Sequence, residues 1–173
     1  MELKSLHDRI RVATQTHHSE LENTPPFCNL MSENITPDEV KWSLSLFNSF
    51  FSDYLNFKVK EAAYFSEKLK SLASFRGNSN SSSFSGLNGL EVLAWDYIFL
   101  GSQLGNRMIL AKNKMIQRME EAEYFRVPMP QEIWRQCLAE IGEVQEVVDQ
   151  NYLVDRVTEL FQELRSLALE SRR

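Results

Sequence analysis

An all-α fold in a single domain is what the sequence predicts, and three observations predict it. Apolar residues recur at three-to-four spacing through nearly every segment, and no stretch alternates as a half-buried strand would. Caps and prolines punctuate the pattern at the places where helices begin and end. The chain has 173 residues, 43% of them hydrophobic, with 11 Phe, 5 Tyr and 3 Trp against only 6 Gly and 5 Pro. That is enough apolar surface for one core and too much for a disordered chain. Five to seven helices are expected, with no internal repeat.

The first helix is expected from Leu3 to Asn23, with Leu3, Leu6, Ile10, Ala13, His17 and Leu21 on one stripe. Thr24-Pro25-Pro26 ends it, because proline lacks the amide donor and disfavours helix in the residue before it. Thr36-Pro37-Asp38-Glu39 opens the second helix: Thr36 caps, Pro37 suits the first helical position and Glu39 completes a capping box. Val40, Leu44, Phe47, Phe51 and Tyr54 then follow helical period. A third helical stretch, Lys58 to Phe75, uses Ala62, Phe65, Leu69 and Leu72. The run Gly77-Asn78-Ser79-Asn80-Ser81-Ser82-Ser83 is polar and of low complexity, so a flexible loop is expected over about 76–88 within one domain spanning 1–173. A long helix follows from Leu90 to Glu120, interrupted in pattern by Gly101 and Gly105. Pro128-Met129-Pro130 separates it from a helix with the stripe Ile133, Cys137, Ile141 and Val144. A last amphipathic segment carries Leu153, Val157, Leu160, Leu164 and Leu167.

The formal net charge of -5 disfavours a general nucleic-acid binder. Uninterrupted apolar runs are as short as Tyr97-Ile98-Phe99-Leu100, so no membrane span is expected. The start, Met1-Glu2-Leu3-Lys4-Ser5, has no apolar signal core, which makes a cytoplasmic location the expectation. Two cysteines, Cys28 and Cys137, make neither a disulfide framework nor a zinc cluster and are expected to be inert. The three histidines, His7, His17 and His18, are preceded at three residues by Lys4, Thr14 and Gln15, so the Glu-x-x-His pairs of a ferritin-like di-metal site are absent. No phosphate-cradling glycine loop or nucleophile elbow occurs either.

Two segments stand apart from ordinary helix packing. On a helical wheel His17 falls in the apolar stripe of the first helix and His18 about 100° away on its flank. Arg11 and Glu22 lie within about 40° of His18 on that flank. One reading is a ligating imidazole whose second ring proton goes to Glu22, with Arg11 attracting an anionic group. The other is a packed His17 beside a solvated Arg/His/Glu face, and the pattern alone does not choose between the two histidines. The second segment is Asp96-Tyr97-Ile98-Phe99-Leu100-Gly101-Ser102-Gln103-Leu104-Gly105-Asn106-Arg107-Met108. A glycine inside a helix costs about 1 kcal/mol relative to alanine, so two of them four residues apart need a compensating gain. A close-packed helix would supply it. So would a flat ligand pressed against bare backbone, and a planar macrocycle between the two helices would use both segments at once.

Ile10-Arg11-Val12-Ala13-Thr14-Gln15-Thr16-His17-His18-Ser19-Glu20-Leu21-Glu22 resembles the proximal-helix pattern of the heme oxygenase family, particularly its bacterial biliverdin-producing branch. Tyr97 through Arg107 resembles that family's distal-helix pattern, Tyr-x-x-x-Gly-Ser-x-Leu-Gly. The Phe47–Phe51 aromatic helix and the Phe125 to Trp134 segment are weaker echoes. The resemblance implies a heme oxygenase-like helical bundle with heme between the first helix and the glycine helix. His18 would ligate the iron and Glu22 would fix its tautomer. Arg11 would meet a propionate, and Tyr97, Thr14 and Arg107 would help to hold the heme. Gly101 and Gly105, with Ser102 and Asn106, would form the catalytic distal surface.

Three departures from the family pattern are plain. Asn106 replaces a small residue, Ser102 stands where a carboxylate often does, and the glycine-aromatic stretch after the distal helix is not recognisable between Glu123 and Pro130. The implied reaction opens heme, both cofactor and substrate, with O2 to biliverdin, carbon monoxide and ferrous iron. Electrons would come from an external donor such as ferredoxin, flavodoxin or a flavin reductase. Water ordered by backbone carbonyls, Ser102, Gln103 or Asn106 would supply the proton. Neither nucleic acid nor membrane is an expected partner. The competing expectation is a protein of the same fold that binds, transfers or senses heme without degrading it. A third class, resembling thiamin-degrading enzymes of this architecture, would need a poised nucleophilic cysteine. Cys28 after the proline break and Cys137 on an apolar stripe do not fit that role.

Overall fold

A computed structural model describes residues 5–75, 84 and 88–171. Among these residues there are eight α-helices and no strand: α1 (Leu6–Glu22), α2 (Pro37–Lys58), α3 (Ala63–Leu72), α4 (Gly89–Lys112), α5 (Lys114–Arg118), α6 (Glu123–Arg126), α7 (Gln131–Gly142) and α8 (Val147–Glu170). Leu3 and the run 77–83 lie outside the described residues.

The helix boundaries follow local chemistry. Ser5 caps α1 by accepting from the Asp8 amide, and the helix ends at Glu22, a residue before the expected Asn23. Thr36 and Glu39 form the capping box expected for α2, with Pro37 in the first turn. This helix runs on to Lys58, so the third stretch is shorter than expected and begins at Ala63. The expected helix from Leu90 to Glu120 is divided. Asn113 closes α4 and its side chain accepts from the amides of Met115 and Ile116 to start α5. The same side chain donates from Nδ2 to the Ser32 carbonyl at 2.9 Å, which holds the joint against the α1–α2 connection. Gly101 and Gly105 do not break α4. Beyond Pro128-Met129-Pro130, α7 starts at Gln131 and stops at Gly142, leaving Val144 past its end.

The core is aromatic. Phe47, Phe51 and Tyr54 of α2 meet Trp95 and Phe99 of α4, Phe65 of α3 and Tyr124 and Phe125 of α6 through edge-to-face, tilted and stacked contacts. Each such side chain contributes about 1.5–3 kcal/mol on full burial, so this layer is a principal source of cohesion. Four helices then frame a separate space: α8 packs along α1 and α4, and α7 closes between α4 and α1. On α1 the buried face is Leu6, Ile10 and Thr14; Ala13, expected in that stripe, is exposed. Thr14 is tolerated inside because its hydroxyl donates to the Ile10 carbonyl at 2.9 Å.

A buried charged staple fixes α8 against α4. The Glu91 carboxylate accepts from Arg156 Nε at 2.9 Å, Tyr152 Oη at 2.8 Å and Trp95 Nε1 at 3.1 Å. Burial opposes the Arg156 charge, but Glu163 and Glu91 more than offset it and hold its pKa above the ordinary value. No described helix is long and apolar enough to cross a membrane.

Candidate functional site

The space framed by α1, α4, α7 and α8 is a cavity of about 760 Å³, within the range typical of small-molecule sites. One wall is α1, with His7, Arg11, Thr14 and His18. The glycine helix supplies Tyr97, Ile98, Gly101, Ser102 and Leu104. Trp134 comes from α7, and Phe161 and Leu164 from α8. The walls are chiefly apolar, and among the described lining residues there is no carboxylate.

The two adjacent histidines, which pattern left unresolved, part company here. His18 lines the cavity and its ring meets Phe161 edge-on at 5.6 Å between centroids. His17 does not line it. Its ring lies 3.7 Å from Glu20 Oε2 and 3.4 Å from Gln162 Nε2, on the seam between α1 and α8. The side chain of His18 is 54% exposed, and its Nδ1 stands 3.4 Å from Glu22 Oε2, one helical turn on. Glu22 is placed to accept from an Nδ1–H of His18, the tautomer that leaves Nε2 as an acceptor and that a metal ligand needs. Arg11 lines the mouth with a 72% exposed side chain, its guanidinium 3.5 Å from Asp8.

Gly101 and Gly105 can now be judged against their two explanations. A Cβ built on either glycine meets no heavy atom within 4 Å. Close packing against a neighbouring helix therefore does not account for them. Gly101 instead leaves bare backbone on the cavity wall beside Ser102. Behind these glycines the remaining predicted residues separate. Gly105 is not among the lining residues, whereas Asn106 and Arg107 line a second cavity of about 360 Å³ with Gln103, Leu110, Phe125 and Met129. The two cavities share Leu104 and Trp134.

Tyr97, expected near the site, is 9% exposed and packs against His7 and Trp134 with centroids 5.9 and 5.7 Å apart. Burial pushes its phenol up to about 12, so it is neutral at physiological pH and serves as an aromatic wall with a hydrogen-bonding tip. His7, Trp134, Phe161 and Leu164 were not singled out from sequence as site residues. Phe161 and Leu164 sit next to ordinary core positions of α8, and nothing in a period of 3.6 separates a cavity-facing apolar residue from a core one. Trp134 lay in a segment that only weakly resembled the family.

Cys137 is buried, its thiol pushed up by burial, and Cys28 is half-buried with its thiol 3.4 Å from Asn29 Oδ1. Among the described residues no group of three or more His, Cys, Asp and Glu could hold a metal ion. A lone imidazole such as His18 suits an iron that brings its other ligands with it.

No protein-family model matches this chain, and no curated protein matches its sequence.

Proposed function

We propose that the cavity binds heme and that the protein is a heme oxygenase. The observation that carries this reading is the pairing of His18 on one wall with bare backbone at Gly101 on another, across a largely apolar space of ligand size. The donor set fits the group: one accessible imidazole with a carboxylate at its far nitrogen, an aromatic wall and a cation at the mouth. The motif resemblance in α1 and α4 supports the same assignment.

Each part of the chain has a physical task in this reading. His18 Nε2 holds the iron, and Glu22 orients the ring and makes it a stronger donor. Arg11, exposed at the mouth beside Asp8, would neutralise a ligand carboxylate. Phe161, Leu164, Ile98 and Leu104 desolvate the macrocycle, which supplies most of the affinity. Tyr97 and Trp134 limit how far it slides along the slot. Heme bound there supplies iron able to activate O2 and is itself the ring that is opened to biliverdin, with electrons from an external donor. Gly101 lets the α4 backbone approach that reacting face, and its lack of a side chain keeps the space beside Ser102 open to water. With no carboxylate among the described lining residues, the proton comes through water and not from an acidic side chain.

That same lack of a carboxylate favours one second reading, a protein that stores or transfers heme without opening it. A hemin titration followed by reductant decides. A one-to-one complex with a histidine-type Soret band that gives way to biliverdin absorption supports the oxygenase; a Soret band that persists supports the carrier. His18→Ala should lose the histidine-type spectrum while His17→Ala largely keeps it. The reverse outcome would overturn the ligand assignment, and no hemin uptake at all would overturn both readings.

A further inference from the structure

Between the two cavities lies a set of buried amides and hydroxyls that heme binding does not require. Gln103 and Asn106 are 4% and 6% exposed and line the second cavity, while their neighbour Ser102 lines the first. One end of the Gln103 amide lies 2.9 Å from Ser102 Oγ, 2.7 Å from Tyr124 Oη and 3.3 Å from the Phe99 carbonyl. The Phe99 carbonyl can only accept, so that end is the NH2 group. The other end, Oε1, accepts from Asn106 Nδ2 at 2.9 Å. Ser102 in turn donates its hydroxyl hydrogen to the Phe99 carbonyl at 2.6 Å. A hydroxyl has one hydrogen and two acceptor lone pairs. The hydrogen is committed to Phe99 and one lone pair to Gln103.

We infer that Gln103 is a positioning residue, held by Asn106, that fixes the Ser102 hydroxyl so that this wall offers the first cavity no donor. Without Gln103 the hydroxyl hydrogen is free to rotate between the Phe99 carbonyl and the cavity. With it, the wall gives no hydrogen bond to a small ligand in front of it. Tyr124, 1% exposed and anchored beneath Lys68, accepts from the same end of the amide and has the Ser102 hydroxyl as its other partner. The consequence for a bound diatomic ligand rests on the heme reading; the clamp itself does not.

The experiment therefore has two arms. In the ligand-free protein, nuclear magnetic resonance should show the Gln103 side-chain amide protons protected from exchange and displaced by Ser102→Ala. Freely exchanging protons that ignore Ser102→Ala would overturn the clamp. In the hemin-loaded, reduced protein, carbon monoxide serves as probe, since a hydrogen-bond donor beside it lowers its stretching frequency. Wild type should give one band without a donor. Gln103→Met, which keeps length and packing, should add a lower-frequency band, and Ser102→Ala in that background should remove it. A wild-type spectrum in Gln103→Met would overturn the inference. Failure to take up hemin would overturn the heme reading and leave the resonance arm to decide the clamp.

Discussion

Gly101 and Gly105 cost the chain similar stability but differ in what they do for the cavity. Both sit inside α4, where glycine is about 1 kcal/mol worse than alanine, and both face open space. Alanine at either position should therefore stabilise the ligand-free protein by up to about 1 kcal/mol, read as a higher urea midpoint with an unchanged slope. Of the two, Gly101 lines the cavity, so on the proposed reading Gly101→Ala should also weaken hemin binding while Gly105→Ala leaves it nearly intact. Gly101→Leu should abolish binding. Equal hemin affinity in wild type and Gly101→Leu would show that the glycine has no part in the site. At this scale the sequence was informative about residue type and silent about direction. It marked the glycines as costly, but only coordinates show that nothing packs on them. It marked both histidines, but a 100° step on a wheel does not say which face meets a slot and which a neighbouring helix. Lys68 was invisible: a lysine three residues after Phe65 reads as surface, and it is fully buried.

The spacing of the helices that form the slot depends on the staple between α4 and α8. Tyr97, Ile98, Gly101 and Ser102 reach the cavity from α4, and Phe161 and Leu164 from α8, so a change in their separation changes the slot directly. The two halves of the staple are unequal. Arg156 keeps Glu159 and Glu163 if Glu91 is removed, whereas Glu91 keeps only the neutral donors Tyr152 and Trp95 if Arg156 is removed. Stranding a buried carboxylate costs more than relieving an arginine that has other partners. Arg156→Leu is thus expected to lose about 3–4 kcal/mol of stability and Glu91→Leu about 2, measured by urea unfolding at neutral pH. The reverse order would mean that Glu159 and Glu163 do not compensate. Element positions were well read where a cap or proline wrote them, as at Thr36-Pro37 and Pro128–Pro130. They were misread where a single asparagine did the work. Asn113 ends one helix and starts the next, and its long-range bond to Ser32 is tertiary information that no local pattern carries.

Across the whole molecule, the buried Lys68 links the core to the pH dependence of folding. It joins α3 to α6 by donating to the Tyr124 carbonyl, and its ammonium lies 4.5 Å from the Tyr124 ring centroid and 5.6 Å from that of Tyr64. Among the described residues Lys68 has no carboxylate as a hydrogen-bonding or ion-pair partner, and burial pushes its pKa down to about 7. In the unfolded chain the same lysine titrates at its ordinary value near 10.4. Between about pH 7 and 10.4 the unfolded state therefore binds more protons than the folded state, and stability contributed by this position rises with pH. Below about pH 7 both states are charged and the burial penalty is complete; above about 10.4 both are neutral and it vanishes. Tyr64 and Tyr124, raised by their own burial, work the other way, since the unfolded chain loses phenolic protons first; that loss begins only near pH 10. Comparing wild type with Lys68→Met removes the contributions that the two proteins share, including that of the buried Cys137. From pH 7.5 to 9.5 the stability of wild type relative to Lys68→Met should rise by roughly 2–3 kcal/mol, at about 1.4 kcal/mol per pH unit where the slope is full. Urea unfolding at four or five pH values measures it. Parallel curves for the two proteins would mean that Lys68 keeps its proton in the core, its charge carried by the two tyrosine rings and the Tyr124 carbonyl alone.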